Sequence, residues 1–316
     1  MLPLIGKRLV QMLLIMVVAS LVLFFIFDSD EFKKKIAVAE LGGFAVSALS
    51  DADYQQWLVN KGLDVPFVQR YVNWFGGVLA GDFGHSFEKN TDVGPLLWDR
   101  LKNTGILAFW VFALMIPLSL ALGVIAGMKE GGKRDRIVSF VAVFTTSIPE
   151  IATAILLTVF LALGLGWLPT KSAMMQGFDP WQLVLPVLTL VIYSFGYVAR
   201  MTRASMAEVM TSQYIRTALL KGVSFRQTVM KHALRNALIA PFTVIMLQFP
   251  WLLTGVVIVE NMFRYQGFGY MLVQAAANND IDLLLACGLV SVVVVLATQL
   301  ISDVGYAFLN PRIRVS

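Results

Sequence analysis

Six long apolar stretches restrict what this chain can fold into more than any other feature of its sequence. A bilayer core requires about 20 consecutive apolar residues in a helix, and each stretch is long enough for one crossing. The stretches are Leu9–Phe27, Thr104–Gly127, Ile137–Leu165, Trp181–Ala199, Ile239–Val259 and Leu283–Phe308. The first is similar to the core of a signal peptide, but no A-x-A cleavage site follows it, so we interpret it as a retained span. The sequence therefore predicts an all-α membrane protein with six transmembrane helices.

The composition supports this fold class and excludes several kinds of site. Of the 316 residues, 58% are hydrophobic and only 14% are charged, whereas soluble domains carry about 25% charged residues. One cysteine, Cys287, cannot form an internal disulfide. The two histidines, His85 and His232, lie far apart in the sequence and are too few for a usual catalytic zinc site. We therefore predict no metal site.

Lysine and arginine are distributed unequally between the loops. Fifteen of the 25 lie before the first span, in residues 128–136 and 200–238, and in the final residues 309–316. The opposite short loops carry only Lys171 and Arg264. Because basic residues mark the cytoplasmic ends of spans, we predict that both termini are cytoplasmic.

This orientation divides the chain into four parts. Residues 1–27 form the N-terminal cytoplasmic tip and the first transmembrane helix, and residues 28–103 form an extracytoplasmic helical segment. Residues 104–308 form a core of five transmembrane helices that includes a cytoplasmic loop at 200–238. Residues 309–316 form a cytoplasmic tail.

The extracytoplasmic segment contains two local helix signals. Ser50, three residues before Asp53, is typical of a capped helix start, and Pro66 suits a first helical position. A single helical face after Pro66 then collects apolar residues. These are Val68, Tyr71, Val72, Phe75, Val78 and Leu79. We interpret the segment as a small helical cap on the membrane.

The loop at 200–238 contains a basic stretch, "YIRTALLKGVSFRQTVMKHALRNALIAP", which runs from Tyr214 to Pro241 and carries no acid. We predict two helices, Ser205–Lys221 and Phe225–Asn236. Gly222 supplies the left-handed backbone that helix ends favour, and Ser224 caps the second helix. Apolar residues then give the turn an apolar side among basic neighbours. These are Ile215, Ala218, Leu219 and Val223.

Three interpretations of this stretch are open. The stretch is either a loop that only fixes topology, or a DNA-binding helix-turn-helix, or a docking element for a cytoplasmic partner. A recognition helix must enter a major groove, which a segment tethered closely between two spans cannot do readily, so we predict no nucleic-acid partner. Ordering a loop costs conformational entropy, and two well-delimited helices therefore favour docking.

The same stretch resembles the cytoplasmic EAA loop of ABC-transporter permeases, in the form found in the dipeptide/oligopeptide/nickel branch. Four other segments resemble that branch in the same order. They are "GLDVPFVQRYVNWFGGVLAGDFGHSF" (62–87), "LPVLTLVIYSFGYVARMTRASMAEVM" (185–210), "VENMFRYQGFGYMLVQAAANNDIDLL" (259–284) and "LISDVGYAFLNPRIR" (300–314). Two motifs depart from the general pattern. Arg216, Thr217 and Ala218 stand at the Glu-Ala-Ala positions, and Asn310 replaces the acid of the closing Asp-Pro-Arg motif.

The resemblance implies a type I ABC importer permease in the bacterial inner membrane. Such a chain forms the pathway with a second homologous permease, two cytoplasmic ATPase subunits and an extracytoplasmic solute-binding protein. The solute is then a peptide or a similar small molecule, and within the family the alternative solute is a nickel complex or a glycoside. Outside the family, the alternative kinds of protein are a secondary transporter, a channel or a membrane enzyme. The ATPase-docking residues are Arg216, Thr217, Ala218, Leu219, Lys221, Gly222, Val223 and Ser224.

The chain itself shows no motif for ATP hydrolysis. No GxxxxGK[ST] phosphate loop is present, and "GMKEGGK" (127–133) lacks the following Ser or Thr. We therefore expect a non-catalytic subunit that binds no cofactor, with ATP and magnesium held by the partner ATPases.

Two acids, Glu150 and Asp303, lie within predicted spans. Intramembrane acids usually face a cavity or a partner, so we predict that Glu150, with Pro149 before it, lines the translocation pathway. The alternative is that Glu150 bonds a neighbouring helix or is protonated. We predict that Asp303 pairs with Arg312 or a partner residue. The spacing of Gly123 and Gly127 predicts a close helix crossing.

Overall fold

The structure is a computed structural model that describes residues 2–174 and 177–309. Helices dominate these residues. In chain order they are α1 (Leu2–Phe27), α2 (Asp30–Leu41), α3 (Gly43–Ala48), α4 (Asp51–Asn60), α5 (Phe67–Leu79), α6 (Val93–Gly127), α7 (Lys133–Ser147), α8 (Glu150–Leu157), α9 (Pro180–Met210), α10 (Gln213–Leu220), α11 (Phe225–Thr228), α12 (Leu234–Ala237), α13 (Ile239–Phe263), α14 (Phe268–Ala277) and α15 (Ile281–Leu309). Two π-helical stretches, Thr158–Gly164 and Val229–Ala233, continue α8 and α11.

The all-α expectation requires one small correction. Two short strands, β1 (His85–Ser86) and β2 (Thr91–Asp92), pair in an antiparallel ladder with His85 opposite Asp92. Asn90 adopts a positive φ of 49° in the connecting turn, a conformation that asparagine tolerates better than most residues.

Among the described residues, four helices are long and apolar enough to cross a membrane. They are Gly6–Phe27, Val93–Gly127, Pro180–Met210 and Ile281–Gly305. The number rises to six if each of two bent pairs counts as one span. One pair joins Lys133–Ser147 to Glu150–Gly164, and the other joins Phe225–Ala237 to Ile239–Pro250. The predicted count of six is therefore the upper value, and the second pair includes residues that we assigned to the loop.

The third predicted span, Ile137–Leu165, is not one continuous helix. α7 ends at Ser147 and α8 begins at Glu150, with a bend of 102° between them. Ile148, which precedes Pro149, has an extended backbone with ψ of 125°. A proline disfavours helical backbone at the preceding residue, and this explains why the helix breaks at Ile148.

The described residues form two compact units. The first contains Thr104–Gln266 and continues from Thr298, and α9 is at its centre. Leu190, Val198 and Thr202 on α9 are fully buried. A side chain on Gly196 would collide with the Ala142 carbonyl and, at 2.8 Å, with the Thr145 hydroxyl, so glycine allows α7 to cross α9 closely.

The predicted glycine crossing is confirmed in the same unit. A Cβ on Gly123 would lie 2.5 Å from Thr202 Cβ, and a Cβ on Gly127 would lie 2.6 Å from Met206 Cβ. Real Cβ atoms do not approach so closely, and the two glycines therefore set the distance between α6 and α9.

The second unit contains Leu2–Asn103 and Gly267–Ala297. Ser50 Oγ accepts a hydrogen bond from Asp53 N at 3.2 Å, as the capping signal predicts. Pro66 caps α5 instead of opening it, since the helix begins at Phe67. Three residues of the predicted apolar face of α5, Val68, Val72 and Leu79, are exposed.

Aromatic residues provide the packing face of α5, and of these the predicted apolar pattern included Tyr71 but not Phe67 or Trp74. Phe67, Tyr71 and Trp74 surround Phe24 of α1 at ring distances of 5.3 to 5.7 Å. Tyr71 also hydrogen-bonds Ser20 at 2.9 Å. α1 and α5 therefore pack through rings and one buried hydroxyl pair.

Candidate functional site: the basic helical segment and buried carboxylates

The turn between the two helices of the basic segment has a defined hydrogen-bond pattern. Gly222 has a φ of +81°, as its predicted helix-ending role requires. Gly222 N donates to Leu219 O at 3.0 Å, and Val223 N donates to Ala218 O at 3.2 Å. This pair of bonds is a Schellman motif, which satisfies the last free carbonyls of α10.

Ser224 caps the helix that follows, as predicted. Its Oγ accepts a hydrogen bond from Gln227 N at 3.4 Å. The second predicted helix, Phe225–Asn236, is found as α11, the π-helical stretch and α12 in succession, which end at Ala237. The turn from Lys221 to Ser224 is therefore fixed at both ends by local hydrogen bonds.

The first predicted helix of the segment, Ser205–Lys221, is wrong in its bounds. α9 continues to Met210, and α10 begins only at Gln213, after Ser212. Ser212 has a φ of −68° and a ψ of 150°, an extended backbone typical of a residue that precedes a helix. The interruption separates α10 from α9.

The inner side of the segment packs against α9. Ile215, which we placed on the apolar side of the turn, is instead buried with four other residues. Its neighbours in this cluster are Met206, Val229, Ala233 and Ala237. Ser205 Oγ also donates to Ala237 O at 2.8 Å, so that the start and the end of the segment are connected. The segment is therefore a packed element rather than a free loop.

The outer side of the segment carries large apolar side chains among cations. Leu220 is 80% exposed, and Leu219, Phe225 and Met230 are exposed as well. Sequence reasoning omitted Leu220, although its position two residues before Gly222 places it on the last turn of α10. The five basic side chains of the segment are all exposed. They are Arg216, Lys221, Arg226, Lys231 and Arg235.

This arrangement can bind a protein surface. Apolar anchors surrounded by charged residues are typical of interfaces, where the anchors supply most of the affinity. We refer to Leu219, Leu220 and Phe225 with the five cations as the coupling surface, after the docking role predicted for this segment. Of the predicted docking residues, Arg216, Thr217, Leu219, Lys221, Gly222 and Ser224 are exposed there, and Ala218 and Val223 are half-buried.

Glu150 lies at the bend between α7 and α8. It is the first residue of α8, directly after Pro149, and its side chain is only 8% exposed. Its Oε1 atom is buried and has no hydrogen-bond partner among the residues that the structure describes. A buried carboxylate oxygen without a partner is costly, so this position favours a group that compensates for the charge or a proton on the carboxyl.

A second buried carboxylate, Asp135, was missed by sequence reasoning. Arg203 donates to it through Nε at 2.9 Å and through Nη2 at 2.7 Å, a bidentate pair between α7 and α9. Gly131 N, at 2.8 Å, and Ser139 Oγ, at 3.1 Å, donate to the same carboxylate. Arg203 Nη2 also contacts Glu130 at 3.2 Å. The network fixes the turn before α7 to the end of α9 that leads into the basic segment.

The sequence also leads us to expect a partner for Asp303 and no metal site. The predicted partner of Asp303, Arg312, lies outside the described residues, as does the Asn310 motif. Within the part of the chain that the structure describes, no three His, Cys, Asp or Glu side chains form a group that could hold a metal ion.

Comparison with known proteins identifies the family. Residues 119–315 match the family described as "Binding-protein-dependent transport system inner membrane component". The oligopeptide transport system permease protein AppB of Bacillus subtilis (strain 168) is 33% identical over 272 residues, which cover 84% of this chain and 86% of that protein. The glutathione transport system permease protein GsiC of Escherichia coli (strain K12) is 35% identical over 254 residues, 80% of this chain and 81% of that protein.

A third relative matches the chain over almost its whole length. A putative peptide transport system permease protein of Brucella abortus (strain 2308) is 32% identical over 315 residues, 98% of each protein. The helices that are long and apolar enough to cross a membrane agree with these matches. The chain therefore belongs to the family of binding-protein-dependent transport system inner membrane components, as a multi-pass permease subunit of an ABC importer.

Proposed function

We propose that this permease forms the translocation pathway of a peptide importer together with a second, homologous permease. Relatives whose names specify oligopeptide, peptide or glutathione transport support a peptide as the solute. A nickel complex or a glycoside is the alternative solute class. Mass spectrometry of the purified complex with its bound solute distinguishes these classes by molecular mass.

The coupling surface is the observation that carries the proposal. Two cytoplasmic ATPase subunits drive transport, and one of them holds Leu220 and its apolar neighbours in a groove. ATP and magnesium bind to those subunits, and this chain contributes no catalytic residue. The exposed cations around Leu220 suit a groove with acidic margins, because opposite charges steer association and fix register.

The proposed topology follows from the distribution of basic residues. Both termini and residues 200–238 face the cytoplasm, and five of the six spans lie in 104–308. Residues 28–103 face the outside, where a solute-binding protein delivers the solute. Glu150, beside the bend at Pro149, lines the pathway. Its burial and its unpartnered oxygen support this role, since a peptide ammonium group could compensate for its charge.

Replacing Leu220 with aspartate tests the docking proposal. An aspartate must be desolvated in an apolar groove, and we expect at least tenfold weaker retention of the ATPase in a pull-down, as for a central interface anchor. Leu220→Met retains volume and apolar character and should bind like the parent. Phe44→Asp is the matched control, because Phe44 is 90% exposed and lies in the segment proposed to face outside.

The result also separates the classes of transporter. If Leu220→Asp retains the ATPase like the parent, the coupling surface is assigned to the wrong place. If the parent itself retains no ATPase under conditions that preserve the membrane complex, a secondary transporter or channel becomes the better description.

A further inference from the structure

A groove beside the C-terminal half of α9 is lined by basic, amphipathic and apolar side chains that have no role in the proposed transport function. It has a volume of about 360 Å³ and lies between α7 and α9. Its lining residues are Ser139, Tyr197, Arg200, Met201, Arg203 and Ala204. Arg200 directly follows the apolar run Trp181–Ala199. Since an apolar run of about 20 residues fills the bilayer core, we place the groove, at the end of this run, at the depth of the lipid headgroups.

The two arginines of the groove differ in their partners. Arg203 is held by Asp135 and Glu130, so both nearby acids are already engaged. Arg200 is exposed and forms no hydrogen bond or ion pair with the described residues. Residues 129–136 and 200–203 together hold six basic residues and two acids. An excess of positive charge therefore remains available to an anion.

The remaining lining suits a lipid rather than a free ion. Tyr197 is 58% exposed, and Met201, four residues later and one turn along α9, is exposed as well, although the two side chains are amphipathic and apolar. Phe140, next to Ser139 on α7, is also exposed. Acyl chains can cover such surfaces, while a headgroup phosphate accepts hydrogen bonds from a guanidinium group. No acidic side chain among the described residues pairs with Arg200, so a protein partner would have to supply an acid of its own.

We propose that this groove binds an anionic phospholipid, with Arg200 donating to the headgroup phosphate and Arg203 fixed beside it by Asp135. Basic pockets between transmembrane helices at a membrane surface are known to select such headgroups. The site requires only that the chain is embedded in a membrane. Its test is therefore independent of the solute and of the coupling surface.

Competition between two lipids tests the site on the purified complex. The delipidated complex is incubated with equal amounts of phosphatidylglycerol and phosphatidylcholine, purified again, and its lipids are quantified by mass spectrometry. One basic contact to an anionic headgroup changes binding about fivefold. We therefore expect Arg200→Ala to reduce retained phosphatidylglycerol about fivefold, with phosphatidylcholine unchanged and Arg200→Lys close to the parent.

Three controls make the outcome specific. Lys171→Ala removes an equal, exposed charge outside both the groove and the coupling surface, and it should retain the parent ratio of lipids. Ala204→Trp keeps all charges but fills the groove, and it should also expel phosphatidylglycerol. Inorganic phosphate should displace no more lipid than chloride at the same ionic strength. The proposal is overturned if Arg200→Ala retains phosphatidylglycerol, or if inorganic phosphate displaces it.

Discussion

Two buried carboxylates, Asp135 and Glu150, differ in how their charge is compensated. Asp135 accepts four hydrogen bonds, two of them from one guanidinium group. Glu150 has a buried oxygen that finds no partner in the described part of the chain. Since uncompensated burial is costly and a satisfied ion pair is costly to break, substitutions at the two residues should have opposite effects on stability.

Asp135→Asn should destabilise the chain. The amide cannot accept the bidentate pair, and half-buried Arg203 then keeps only one amide oxygen and Glu130 as acceptors. We expect a loss of about 2 kcal/mol in the free energy of unfolding, seen as a lower thermal midpoint in detergent. The matched control is Glu130→Gln at the exposed end of the same network, which should change stability by about 0–1 kcal/mol. An Asp135→Asn variant as stable as that control would show that the pair does not hold α7 to α9.

Glu150→Gln should leave the complex assembled and reduce uptake of solute. The amide keeps the shape of the side chain but cannot compensate for a cation that passes through the pathway. Removing a buried charge should also maintain or raise the thermal midpoint. Uptake at limiting solute is compared with that of Glu208→Gln, an exposed acid on α9. Unchanged uptake would assign Glu150 to a contact with a neighbouring helix.

At the scale of the helices, hydropathy predicted where most apolar helices lie, but it did not predict where they are interrupted. The mean hydropathy of Ile137–Leu165 does not reveal the bend, because averaging over a window hides a single residue. Pro149 by itself indicates that the helix is interrupted there. The break before Gln213 was missed because no glycine or proline marks it, and Ser212 alone was the available signal. The pairing of Asp135 with Arg203 could not be predicted, because it depends on how α7 packs against α9.

The turn of the coupling surface was predictable because its signals are local. Gly222 and Ser224 each act within a few residues of the chain, and both roles are confirmed. The direction of Ile215 was not predictable, since it depends on packing against Met206. The sequence therefore indicates where the turn lies but not which side of it faces outward.

Gly222→Val tests whether the shape of this turn matters for coupling. A Cβ at Gly222 would meet nothing within 4 Å, so the cost comes from the positive φ and not from a collision. A β-branched residue there is strained by about 1–2 kcal/mol or more. We expect normal membrane insertion, weaker retention of the ATPase, and less ATP turnover stimulated by solute in reconstituted membranes.

Gly62→Val is the matched control for this substitution. Gly62 also has a positive φ, +65°, and also has open space around its Cβ position, but it lies in the segment 28–103. It should therefore suffer similar backbone strain without any loss of coupling. If Gly222→Val assembles, hydrolyses ATP and transports like the parent, the shape of the turn does not contribute to coupling.

For the whole molecule, the distribution of charge predicts on which side of the membrane each segment lies. Cysteines at Ser50 and Gln213, both exposed, should therefore react differently with an impermeant maleimide on cells with a permeabilised outer membrane. The cysteine at Ser50 should be labelled and the one at Gln213 should not. Cys287 is fully buried and should not contribute to the signal. Equal labelling of the two sites would contradict the proposed topology.

The most direct measurement of the central claim is photocrosslinking from Leu220 in the assembled membrane complex. A benzophenone side chain is placed at Leu220, and in a second sample at Phe44, an equally prominent apolar residue in the segment proposed to face outside. We predict that the probe at Leu220 forms a covalent adduct with the ATPase subunit and that the probe at Phe44 does not. An assembled, ATP-hydrolysing complex in which Leu220 yields no ATPase adduct would contradict the role assigned to this surface.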